Sequence, residues 1–161
     1  MTKRDFLAAA AALSALATSG AAAPPAPTIY VMRHLDTPEG VRDPDLTAAG
    51  RRHAAALVRW FAGKPLATIY VSDFKQTRQT VAPLATKRGL TPKLYDPADN
   101  AAIVRKARAE RTPVLIVGHS NTVPDIVEQL GGPRPAPLHH PDFGDIWTIA
   151  PNGTVRDKLP G

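Results

Sequence analysis

Two histidines stand where apolar runs end. "TIYVM" (28–32) passes directly into Arg33-His34, and "PVLIV" (113–117) passes into Gly118-His119-Ser120. A third run, "ATIYV" (67–71), leads into "SDFKQTRQT" (72–80), which carries Gln76, Arg78 and Gln79. A neutral imidazole is a nucleophile and a proton carrier near pH 7, and a guanidinium offers anions a fixed fork of N–H donors. If the three runs are parallel strands, these residues converge at the C-terminal edge of one sheet, where open α/β sheets bind ligands. Free backbone N–H groups at strand-to-helix junctions add donors of the same kind. The combination suits a small anion, a phosphate group first of all. One histidine alone would carry no such argument, because most are structural.

The elements that must position these residues are legible from periodicity. The three runs are continuous Ile/Val/Leu/Tyr stretches without polar alternation, as expected of strands buried on both faces. Helices fall between them. In "LTAAGRRHAAALVRWFAGK" (46–64), Gly50, Ala54, Leu57, Val58 and Phe61 recur on one face, with Thr47 as N-cap. "SDFKQTRQTVAPLATKRG" opens a second helix that ends before Gly89 and holds Pro83, which predicts a kink. "ADNAAIVRKARAE" and "NTVPDIVEQLGG" supply two more. "DIWTIAPNGTVRDKL" reads as an antiparallel hairpin around Pro-Asn-Gly. The alternation predicts a three-layer α/β/α sandwich, its sheet mostly parallel with an antiparallel C-terminal edge hairpin.

The 161 residues suit one domain, and the 43% hydrophobic and 21% charged shares are those of an ordinary globular chain. Residues 1–23 read separately: Lys3 and Arg4, a short apolar run from Phe6 to Ala17, then small residues up to "AAA" before Pro24. That is the layout of an export signal cut after Ala23, leaving a domain over 24–161 and a periplasmic location. The apolar run falls short of the roughly 20 residues that a membrane span needs. With no cysteine there is neither a disulfide framework nor a lipid-modified cysteine. The formal charge of +6 is spread singly and in pairs, and aromatics make up only 6%, so nucleic acid is not the expected partner. A small phosphorylated substrate is. The oligomeric state is not legible.

Taken together, "RHLDT", "LTAAGRRHA", "SDFKQTRQT" and "VGHSNT", in this order over about residues 28 to 130, resemble the histidine phosphatase superfamily. The likeness is to small single-domain bacterial members of this phosphoglycerate-mutase-like group with its Arg-His-Gly signature. It implies that His34 takes a phosphoryl group onto a ring nitrogen and that water then releases phosphate. Arg33 and His119 would be donors to the phosphoryl oxygens, with Ser120 and Asn121 adding more. No metal and no other cofactor is expected, and the histidines lack zinc spacing. With the export signal, the resemblance implies an exported phosphomonoesterase. The alternatives are a catalytically weakened member that binds phosphate esters, or a phosphohistidine-protein phosphatase, a role that is cytoplasmic in the family.

Three departures from the family pattern carry expectations of their own. Leu35 replaces the signature glycine and is expected to narrow the pocket or favour an apolar leaving group. The proton donor is expected at Asp36, with Asp142 and Asp145 as other choices, while Asp43 and Asp45 shape the turn into the first helix. The family's second arginine belongs at position 76, which is Gln76 here. Residue 78 lies about 200° round a helix from it. Yet Arg78 falls beside the stripe of Phe74, Val81 and Ala85, so both Gln76 and Arg78 are candidates for the phosphate. With Asp73 as N-cap, Gln76 also fits a capping box. His53 is expected to be exposed, and Trp60 and Trp147 to be packing residues. His139-His140, in the Pro-rich "GGPRPAPLHHPDFGD", are placed to line the pocket mouth.

Overall fold

A computed structural model describes residues 19–161. Most of the expected export segment lies outside the described residues, and residues 19–23 carry no regular structure. Ten elements follow: β1 (Ile29–Arg33), α1 (Ala48–Trp60), β2 (Thr68–Val71), α2 (Lys75–Arg88), β3 (Lys93–Leu94), α3 (Asn100–Ala109), β4 (Val114–Gly118), α4 (Val123–Gln129), β5 (Asp145–Ala150) and β6 (Gly153–Lys158). They form one six-stranded sheet in the order β3-β2-β4-β1-β5-β6. The first four strands in that order are parallel, and β5 and β6 close one edge antiparallel. Ala150 pairs with Gly153 across the expected Pro151-Asn152 turn.

Alternate side chains of each central strand go to opposite faces. Tyr30 and Met32 of β1, Ile69 and Val71 of β2, and Leu115 and Val117 of β4 pack with Leu57, Phe61, Val81 and Leu84 of the α1–α2 layer. Ile29, Val31, Val114 and Ile116 pack with Ile103, Val104, Ile126 and Val127 of the α3–α4 layer. Burial on both faces is why these strands lack polar alternation. Trp147 is buried in the second cluster and Trp60 packs at the margin of the first, as expected.

α2 runs from Lys75 to Arg88 as one helix with Pro83 inside it. The short parallel strand β3 had no signal, since a two-residue exposed edge shows no periodicity.

Register brings the strand ends level. Arg33 pairs with Gly118 and Val71 with Val117, so β1, β2 and β4 end along one edge. A Cβ on Gly118 would meet Thr122 Oγ1 at 2.8 Å and the Tyr95 hydroxyl at 3.2 Å, so glycine is what lets β4 turn into the following segment.

Candidate active site

His34 follows β1 directly, and its backbone N–H donates to the Gly118 carbonyl (2.9 Å), bringing the two histidine-bearing segments together. Leu35 then departs from expectation. Its side chain is fully buried in the α1–α2 core cluster, so it neither narrows the crevice nor meets a leaving group. Its backbone does the positioning. The Leu35 N–H donates to Thr80 Oγ1 (2.9 Å), and its carbonyl lies 2.9 Å from His34 Nδ1. A carbonyl only accepts, so Nδ1 carries the proton and Nε2 holds the lone pair.

Burial, reinforced by the charge of Arg33, pushes the His34 pKa down to about 4, although the bond to Leu35 opposes the shift. The imidazole is therefore neutral and nucleophilic throughout the physiological range. Because the folded-state pKa lies below the ordinary 6.5, the resulting stability is complete above pH 6.5 and is lost as pH falls towards 4. Between those limits His34 contributes up to about 3 kcal/mol of pH-dependent stability. Denaturant unfolding at pH 7 and pH 4.5 is expected to show a larger loss for the wild type than for His34→Asn; equal losses would contradict the burial argument.

His119 faces His34, with ring centroids 5.5 Å apart. Its Nε2 lies 2.8 Å from the fully buried Ser72 Oγ, which also contacts Thr77 Oγ1 (3.1 Å). Burial and the Arg33 charge lower the His119 pKa. A hydroxyl both donates and accepts, so His119 keeps its Ser72 contact whether neutral or cationic. Arg33 is buried over the Phe143 ring (4.1 Å) and donates through Nη1 to the carbonyls of His139 (2.9 Å) and Asp142 (3.2 Å). Its buried Nε has no protein partner. The Pro-rich loop thus fixes the guanidinium beside His34. A crevice of about 390 Å³ is lined by Arg33, His34, Gln76 and Ser120, with Thr37–Val41 on one side and Leu138–His140 on the other. His139 and His140 line its mouth as expected, and His140 Nε2 lies 2.8 Å from the Thr37 carbonyl.

The segment 72–80 separates its two candidates. Gln76 is buried, lines the crevice and leaves Oε1 without a partner. Arg78 is exposed and bonded to Asp73, so the structure does not bring it to His34. It borders a separate groove near Thr86 and Leu94. The expected capping box is absent as well: Phe74 is the N-cap, with no side-chain cap bond, because Asp73 is engaged by Arg78. Asp43 takes over from outside the helix and accepts from the Lys75 N–H (2.7 Å). Gln79 links the same loop to α2, donating to Asp45 (2.7 Å) and accepting from the Leu46 N–H (2.8 Å). Asp43 and Asp45 thus strap the β1–α1 loop to α2.

The three nominated carboxylates are engaged elsewhere. Asp36 Oδ2 lies 2.5 Å from His53 Nδ1, and the Asp36 carbonyl accepts from the N–H and hydroxyl of Thr47. Only glycine fits at position 50, since a Cβ there would sit 2.4 Å from that carbonyl. This close approach brings α1 against residue 36, and it explains why His53 is half-buried and paired instead of exposed. Asp142 accepts from the His139 N–H (2.8 Å), and Asp145 sits between Arg156 and Lys158. The carboxylate that lines the crevice is Glu39, which the sequence reading passed over. It sits in the Pro38-Glu39-Gly40 turn, with Gly40 at φ 73°. Asn121 lies outside the crevice lining; Ser120 is within it.

Residues 29–98, which hold Arg33, His34 and the segment 72–80, match the sequence model of the histidine phosphatase superfamily (branch 1). The match supports the resemblance to the histidine phosphatase superfamily first seen in the motifs. Solved structures agree in fold. The protein histidine phosphatase SixA, in complex with tungstate, is 17% identical, with a TM-score of 0.61 over 81% of this chain and 94% of its own. A mycobacterial glucosyl-3-phosphoglycerate phosphatase is 15% identical, with a TM-score of 0.61 over 83% and 98%. YhfR of Bacillus stearothermophilus is 18% identical, with a TM-score of 0.60 over 83% and 96%. None of the curated proteins matches the chain in sequence. Among the described residues, the six-stranded sheet and four helices are therefore those of the histidine phosphatase fold.

Proposed function

We propose that the chain is an exported phosphomonoesterase that hydrolyses a small phosphate ester through a phosphohistidine on His34. One observation carries the reading: the Leu35 carbonyl and burial hold His34 neutral with its lone pair on Nε2, beside Arg33 and His119. The layout of residues 1–23 supports export.

In the first step the Nε2 lone pair forms a bond to phosphorus, and the bond to the ester oxygen breaks. Protonated Glu39 gives its proton to that oxygen, and the alcohol leaves. In the second step water attacks phosphorus, Glu39 takes its proton, and the N–P bond breaks to return the lone pair to Nε2. Negative charge on the transferring group is met by the Arg33 cation, with neutral donors from His119, Gln76 and Ser120. The charge is met by protein donors, so a chelator should leave the rate unchanged. The test is hydrolysis of naphthyl phosphate by the purified protein with chelator present, together with acid quenching of labelled enzyme. Turnover with an acid-labile label on His34 is expected. Phosphate-ester binding without turnover would favour the weakened-member reading.

The clamp has its own expected outcome. Gln76 lines the crevice and Arg78 does not, so Gln76→Arg is expected to raise kcat/KM about tenfold to a hundredfold by adding a charged donor. Arg78→Ala should stay within about twofold, as befits an exposed ion pair. A collapse of activity in Arg78→Ala would reverse the assignment.

A further inference from the structure

The crevice continues sideways. Ser120 and Leu138 line it and also line a second groove of about 330 Å³, walled by Asn121, Pro124, Arg134, Pro135 and Pro137. From this continuity we infer that the second groove is the leaving-group subsite, and that it takes an uncharged, ring-bearing alcohol. The inference rests on the phosphatase reading above.

Shape and charge both support it. Pro135 and Pro137 present rigid apolar rings whose immobilisation costs no side-chain entropy, a surface suited to the face of a flat or sugar ring. Ser120 and Asn121 offer hydrogen bonds to hydroxyl groups on such a ring. The volume accommodates one small ring system. Arg134 is the groove's only cation among the described residues, and it is not free: Glu128 lies 2.5 Å from it and Asp125 3.4 Å. Asp125 is itself held by Asn100 (2.7 Å) and Gln129 (2.8 Å). One arginine against two carboxylates leaves this end of the groove net negative, so a second phosphate or carboxylate on the substrate meets repulsion. Monophosphate esters of neutral cyclic alcohols are therefore preferred over bisphosphates and phospho-acids.

Two variants of exposed residues test this by steady-state kinetics. Asn121→Trp fills the groove. It is expected to raise KM for naphthyl phosphate about tenfold more than KM for acetyl phosphate, which has no ring to place. Glu128→Gln removes one negative charge beside Arg134. It should raise kcat/KM for a carboxynaphthyl phosphate about threefold relative to naphthyl phosphate. If Asn121→Trp shifts both esters alike, or neither, the groove is not the subsite. If Glu128→Gln leaves the ratio unchanged, the charge preference is wrong. If the unmodified protein hydrolyses neither ester, the phosphatase reading itself fails and the subsite goes with it.

Discussion

Replacing His34 by asparagine is expected to lower turnover of naphthyl phosphate by about four orders of magnitude or more, as removal of a covalent nucleophile does. The choice of residue matters. An asparagine amide N–H sits close to the position of Nδ1–H, so the bond to the Leu35 carbonyl is retained while the Nε2 lone pair is lost. Its melting temperature at pH 7 should match that of the wild type. No neighbour is placed to take over, because His119 Nε2 is engaged by Ser72. The acid-labile label should vanish along with turnover. A loss of less than tenfold, or a label that persists, would remove His34 as the phosphoryl acceptor. His119→Ala should behave differently, slowing both steps while leaving His34 able to carry the label.

How far the sequence exposes this site follows from what each feature depends on. The strands were readable because burial on both faces removes polar residues from runs such as "PVLIV". Their parallel order then put Arg33, His34 and His119 on one edge without any side-chain detail. Roles that depend on a single rotamer or one helix start were not readable. Arg78 lies beside an apolar stripe on a helical wheel, yet Asp73 draws it outward, and the same pair removes the Asp73 cap. Leu35 occupies the signature's glycine position, but its side chain points into the core and only its carbonyl serves the crevice. Asp36 was nominated for its closeness to His34 in sequence. The contact at Gly50 instead brings His53 within reach of its carboxylate. Glu39 escaped notice because a lone acid in a turn has no pattern.

Glu39→Gln is expected to reduce hydrolysis by about a hundredfold for a phosphate ester of an aliphatic alcohol, and by less than about threefold for nitrophenyl phosphate. The split follows from the chemistry of the leaving oxygen. An alkoxide is too basic to leave without a proton, whereas nitrophenolate departs readily as the anion. A residue that only shapes the crevice would affect both esters alike. Asp36→Asn supplies that comparison: its carboxylate holds His53 on α1, so any loss should come from the β1–α1 loop and be equal for the two leaving groups. The same loop carries Glu39, and Asp43, Asp45 and Gln79 tie its far end to α2. A proton donor on a strapped loop is positioned without being buried, so one carboxyl serves as acid in the first step and as base in the second. Equal losses for both esters in Glu39→Gln, or a leaving-group split in Asp36→Asn, would move the acid role back to the residue next to the signature.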